Sequence, residues 1–154
     1  MKLNTVALTA LTLSSLMLSS AVMAANEIAT ARVQIVPAIN ITEQTEIDFG
    51  TLSNIDGTCT MSSGGSLSGT AGMECAGDEV PGQFNISGLD GAVISLSVTQ
   101  GFSQGVTFQP VIDGSNSRTL EGGVTTVVIL GSLTLNNAQD GEQNISYTLT
   151  ANYE

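Results

Sequence analysis

Apolar and polar residues alternate most regularly over 144–154. Ile145, Tyr147, Leu149, Ala151 and Tyr153 are apolar, and Asn144, Ser146, Thr148, Thr150 and Asn152 between them are polar. A period of two places the two sets on opposite faces of a β-strand, so a strand is predicted there. Burying its apolar face would contribute on the order of 7–15 kcal/mol, an upper figure because denatured chains are already partly collapsed. Such a face needs a cover, either the domain's own second sheet or β-structure from another chain.

A second alternating run spans 28–42. Ala29, Ala31, Val33, Ile35, Pro37, Ile39 and Ile41 share one phase, with Thr30, Arg32, Gln34, Asn40 and Thr42 in the other. Proline has no N–H to give a ladder, so Pro37 divides the run into strands predicted at 28–36 and 38–42. Glu46 to Leu52 reads as another strand, with Ile47, Phe49 and Thr51 inward. Further strands are predicted at 83–87, 92–98, 106–112, 118–120, 124–130 and 132–135. Asp-Gly occurs at 56–57, 90–91, 113–114 and 140–141. It favours tight turns, because glycine accepts positive φ and Asp caps the turn. The segments from 83 onward read as hairpins. Residues 53–81 are Gly/Ser-rich and weakly patterned, which leaves strand register weakly specified. Short strands between regular turns, with no helical periodicity beyond the opening residues, indicate an all-β sandwich or barrel.

The opening residues have a different logic. Lys2 precedes an apolar run from Val6 to Met17, and Ser20-Ala-Val-Met-Ala24 supplies small residues for cleavage. Residues 1–24 read as a cleaved secretory signal peptide, the run being short for a membrane span. Residues 25–36 then form an N-terminal strand and 37–154 a single β-sandwich domain.

Export changes the reading of the two cysteines. In an oxidising compartment Cys59 and Cys75 pair as a disulfide, which would close a loop of about 16 residues and contribute about 3 kcal/mol. Export also removes Lys2, leaving Arg32 and Arg118 against 14 acidic residues. So acidic a chain repels nucleic acid and anionic lipid and stays soluble.

The exported chain contains no His, Lys or Trp. That removes Ser-His-Asp triads, His-ligated zinc and Schiff-base lysines together. Carboxylate pairs remain at Glu43/Glu46, Glu46/Asp48, Glu74/Asp78 and Asp78/Glu79, without the aromatic and basic residues a glycosidase uses to hold sugar. The Asp-Gly pairs lack the ligand spacing of a calcium loop, and Gly64-Gly65 and Gly122-Gly123 lack the lysine of a phosphate cradle. No enzyme, cofactor or metal is expected. Asn40, Asn85 and Asn144 begin glycosylation triplets that also read as ordinary polar strand faces.

Several motifs, in order, resemble a known family. Pro37-Ala-Ile-Asn-Ile-Thr42 and Asp48-Phe-Gly-Thr-Leu52 are similar to the opening of the bacterial secreted domain-of-unknown-function family 4402. Gly82-Gln-Phe-Asn-Ile-Ser-Gly88, Gly131-Ser-Leu-Thr-Leu135 and Thr148-Leu-Thr-Ala-Asn-Tyr153 are similar to its later strands. The resemblance implies an immunoglobulin-like β-sandwich of short antiparallel strands and an exported fimbrial or surface-structure subunit. In general plan the chain also resembles chaperone–usher pilins, with Tyr153 in the place of their penultimate tyrosine. That implies a periplasmic chaperone and an outer-membrane usher as partners, besides other copies of the chain or related subunits. It also implies passage through the periplasm to the cell surface or an extracellular fibre.

The mechanism expected is strand complementation: a sandwich lacking a strand accepts an extended segment of another chain. The donor candidates are Ala29, Ala31, Val33 and Ile35, and the acceptor edge includes Ile145 to Tyr153. The alternative expectation is a monomeric secreted or surface-attached module that binds carbohydrate or calcium.

Overall fold

A computed structural model describes residues 26–70 and 72–154, so the signal peptide assigned to 1–24 lies outside the described residues. The chain divides into two units, residues 1–34 and 35–154. The strands found among the described residues lie in the second unit: β1 (Asn40–Thr45), β2 (Thr51–Leu52), β3 (Gly57–Met61), β4 (Leu67–Gly69), β5 (Cys75–Ala76), β6 (Gly82–Ser87), β7 (Val93–Thr99), β8 (Gly101–Ser103), β9 (Val106–Ile112), β10 (Ser117–Thr119), β11 (Val124–Leu135) and β12 (Thr148–Tyr153). Among the described residues there is no helix.

The strands form two packed antiparallel sheets and a small ribbon. The larger sheet has the order β1-β6-β11-β3-β4, with β9 also on β11 and β8 on β9. The smaller sheet is β10-β7-β12, and β2 pairs with β5. Alternation drives the packing. Along β7, Ile94 and Leu96 are buried while Val93 and Ser97 are exposed; along β9, Val106, Phe108 and Ile112 are buried while Gln109 and Val111 are exposed. The inward residues of both sheets join in one cluster, in which Ile86, Ile94, Leu120, Val127 and Ile129 have no exposed surface.

Several elements differ from the sequence expectation. The strand expected at 28–36 is absent: residues 26–39 belong to no strand, and Ile28, Val33 and Ile35 are 96%, 84% and 88% exposed. Alternation gives a segment the faces of a strand, but a ladder needs a partner edge. Glu46 to Leu52 is reduced to a bridge from Asp48 to Val80 and the two residues of β2, with Thr51 exposed. In the opposite sense, 124–135 is one strand rather than two. At Gly131 a Cβ would collide with the β9 backbone around Gln109 and Pro110, so the missing side chain lets β11 run on beside β9.

The expected hairpins are mostly crossings. Leu89-Asp90-Gly91 carries the chain from β6 in one sheet to β7 in the other, and Asp113-Gly114 carries it from β9 to β10. The true two-residue hairpin joins β8 to β9 through Gln104 and Gly105, both at positive φ (40° and 84°). Asp-Gly specifies a tight bend, and the burial pattern on each side decides which sheet the next strand joins.

Two devices secure this arrangement. The Cys59–Cys75 disulfide joins β3 to β5 across a sequence separation of 16, with Cα atoms 6.1 Å apart. It fixes the β2–β5 ribbon to the larger sheet in the weakly patterned region, and it fits a protein that folds outside the cytoplasm. The Tyr153 hydroxyl accepts the Leu89 N–H (2.8 Å) and donates to the Pro37 carbonyl (2.9 Å). It therefore ties β12 to the β6–β7 crossing and to the lead-in of β1. Gly88 makes room for it, since a Cβ there would meet that hydroxyl.

The double variant Cys59→Ala/Cys75→Ala is expected to lose about 3 kcal/mol in urea unfolding under oxidising conditions. Tyr153→Phe is expected to lose about 1–2 kcal/mol, because the Leu89 N–H and the Pro37 carbonyl both lose their partner. The Tyr153→Phe loss is read as a lower unfolding midpoint at unchanged slope, whereas the cysteine variant also steepens the slope, because its unfolded chain is no longer cross-linked and exposes more surface.

Candidate functional site

The sandwich does not close on one side. β1 is an edge strand of the larger sheet, and β12 is an edge strand of the smaller. Between these edges lies a groove of about 720 Å³. One bank is β1 and its continuation, Ile41 to Gly50; the other is residues 138–149, running into β12. The floor is apolar, built from Phe84, Val106, Phe108, Leu133 and Leu135.

Each part is held for a physical reason. Phe108 comes from β9, whose alternation turns it inward, and it packs edge-on against Phe49 at 5.7 Å between centroids. Tyr147 lies edge-on to Phe108 (5.1 Å) and to Phe84 (6.3 Å). Such pairs contribute beyond their burial, because the ring edge of one meets the electron-rich face of the other. The second bank is tied down by polar contacts. The Asn54 amide donates to the Asp140 carboxylate (2.6 Å), and the Asn137 N–H donates to the Asp56 carboxylate (2.8 Å).

The Tyr147 hydroxyl is the exception to this order. Its oxygen is shielded from solvent and has no hydrogen-bond partner among the described residues. Burial pushes its pKa up to about 12, and the carboxylates of Glu43 and Glu46 add to the shift. Both glutamates also line the groove. The lining also contains Asp48, Asp140 and Glu142, and no Lys or Arg. The site is an apolar trough with an acidic rim, suited to an extended segment with alternating apolar side chains.

The structure distributes the sequence-predicted residues as follows. Cys59 and Cys75 are bonded. Ile145, Tyr147 and Leu149 line the groove, while Ala151 and Tyr153, further along β12, pack half-buried against the core. The ladder holds only 148–153, because pairing with β7 ends at Thr148 opposite Thr99. Ala29, Ala31, Val33 and Ile35 are exposed and unpaired. Sequence reasoning listed Glu43 and Glu46 only as a carboxylate pair and left the floor of Phe84 and Phe108 unassembled. It missed the exposure of Phe102, which is 65% accessible on the β8–β9 hairpin. Comparison with family models, with curated proteins and with solved structures finds no match for this chain.

Tyr147 generates a pH expectation. Its folded pKa lies above its ordinary value of 10.0, so the folded state holds this proton more tightly than the unfolded state. Its contribution to stability is complete below pH about 10 and is lost as pH rises towards about 12. Tyr147→Phe is expected to remove that component of the alkaline decline. At neutral pH it is expected to leave stability unchanged or to raise it by up to about 1 kcal/mol, since no hydrogen bond is lost. Urea unfolding of both proteins at pH 7, 10 and 11 measures this.

Proposed function

We propose that this chain is a structural, non-enzymatic subunit of a bacterial surface fibre or pilus, assembled by β-strand complementation. The observation that carries the reading is the groove between two unpaired strand edges, β1 and β12, over an apolar floor. A strand laid there would pair its backbone with an open edge and turn every second side chain to the floor. Residues 26–36 have the matching pattern. From Ala29 to Ile35 the four inward candidates would span about 20 Å at strand rise. They are exposed rather than committed to a sheet of their own.

The remaining features fit the same assignment. A disulfide and a secretory leader suit transit through the periplasm to the cell surface. The resemblance to family 4402 and to pilins adds a chaperone and an usher as transient partners. If each copy gives its segment to the next, the contact is head-to-tail and does not close, which produces a filament.

A second reading, a monomeric module that binds carbohydrate, has one observation in its favour. Phe102 stands exposed beside Gln104 and Asn136 in a shallow hollow, an aromatic surface with polar neighbours. Calcium binding has no comparable support: among the described residues, no three His, Cys, Asp or Glu side chains group to hold an ion.

Light scattering of the refolded chain from Ala25 separates the readings. The expected result is concentration-dependent oligomers that vanish when residues 25–31 are deleted. A folded monomer whose size and stability are unchanged by that deletion overturns the fibre assignment. Glycan binding that is lost in Phe102→Ala would then favour the second reading.

A further inference from the structure

The groove's lining is one-signed. Glu43, Glu46, Asp48, Asp140 and Glu142 contribute carboxylates, and no basic residue contributes a countercharge. The whole chain carries 14 acidic residues and, outside Lys2, two basic ones. A second copy therefore approaches this rim against electrostatic repulsion over nearly all of its surface.

The two arginines are not equivalent. Arg118 is half-buried, and its guanidinium donates to the Asp113 carbonyl at 2.6 Å. Arg32 is exposed, and it lies between Ala31 and Val33, inside the segment already assigned to the groove. Alternation sets it on the opposite face from Ala29, Ala31, Val33 and Ile35, so those four can turn to the floor while Arg32 stays at the rim. Segment 26–36 contains one acid, Glu27, and this one base, which makes it neutral in a strongly acidic chain.

The rim carboxylates differ as well. Asp140 already accepts the Asn54 amide, and Asp48 accepts the Gly50 N–H at 2.7 Å. Among the described residues Glu43 and Glu46 accept no hydrogen bond, and both act on the Tyr147 hydroxyl inside the groove. A guanidinium has five donors and can serve two carboxylates at once.

From this charge complementarity, and resting on the fibre reading above, we infer that the occupant of the groove is residues 27–36 of a second copy, held in register by Arg32 against Glu43 and Glu46. Arg32 is the register-setting residue, and the four apolar side chains provide burial without fixing which of them goes where. The contact selects one segment of the chain and one frame of that segment.

The test is assembly of the chain from Ala25, followed by light scattering at about 20 mM and about 500 mM NaCl, where exposed charges are weakly and strongly screened. Arg32→Glu is expected to weaken assembly about tenfold or more at low salt, roughly 1.4 kcal/mol, and to differ little from wild type at high salt. Glu43→Lys/Glu46→Lys is expected to do the same. Combining the three substitutions is expected to restore assembly, which shows that the single variants were folded and only mismatched. Val33→Asp separates the two levels of the argument. If Val33→Asp blocks assembly but Arg32→Glu assembles like wild type with the same salt dependence, the role of Arg32 is overturned and the fibre reading stands. If Val33→Asp assembles like wild type, the fibre reading falls and this inference with it. A monomer whose residues 26–36 resist protease at every concentration overturns the second-copy assignment, because its own segment then fills the groove.

Discussion

A strand at the edge of a sheet presents a row of backbone N–H and C=O groups with no protein partner, and the sandwich has two such edges facing one opening. Inside the larger sheet the requirement is met best along the second half of β11, where β3 pairs with 131–135 on one side and β9 with 129–135 on the other, while β6 pairs with 124–129. It fails at every sheet edge, at β4, β8 and β10 as well as at β1 and β12, and the last two are the edges that border the groove. The consequences gather at that place. The floor is apolar, Ile145, Tyr147 and Leu149 are only half-buried, and one tyrosine hydroxyl lies shielded without a partner. Removing a hydroxyl from water without a hydrogen bond costs about 1–3 kcal/mol, so the groove is also a store of unfavourable free energy in the rest of a well-packed domain.

The groove does not collapse, because its surroundings are pinned from several sides. Near Pro37, the Tyr153 hydroxyl links β12, the β6–β7 crossing and the approach to β1. On the far bank, Asn54 and Asp56 hold Asp140 and Asn137. The disulfide fastens the β2–β5 ribbon to β3, and Leu52 of that ribbon is part of the groove lining. Tyr153 thus has a role inside its own domain. The bond network makes the cavity a fixed shape, and a fixed shape lowers the ordering cost of whatever enters it.

How far the sequence revealed this depends on whether a property is local. Period-two alternation located β7 and β9 closely, because burial on one face is encoded in successive residues, but over 144–154 only the stretch from Thr148 to Tyr153 became a strand. The cysteine pair followed from export and an even count. The fate of 28–36 did not follow: Ala29 to Ile35 alternate as a strand would, yet whether a strand forms depends on an edge elsewhere. Asp90-Gly91 and Asp113-Gly114 marked bends correctly but not the sheet change, which is set by long-range packing of Ile94 and Ile112. The groove itself was legible only as the half of it contributed by Ile145, Tyr147 and Leu149. Glu43 and Glu46 acquired meaning once the fold set them around Tyr147, more than a hundred residues away in sequence.

An open edge beside an apolar trough is a hazard as well as a device, since any extended segment with the right alternation could enter it. Apolar depth alone discriminates poorly between such segments: a shift by two residues presents the same face again, with Ala31 where Ala29 had been. Charge breaks that degeneracy. A carboxylate rim repels the acidic body of every other copy, and the penalty for a misplaced acid is of the same kind as the gain for a well-placed base. With Arg32 as the lone exposed base among the described residues, a two-residue slip would move the guanidinium by about 7 Å, most of a Debye length at physiological salt. A sparse allotment of positive charge then gives the chain more specificity than a generous one would, because a second exposed arginine or a lysine nearby would offer the rim a competing frame.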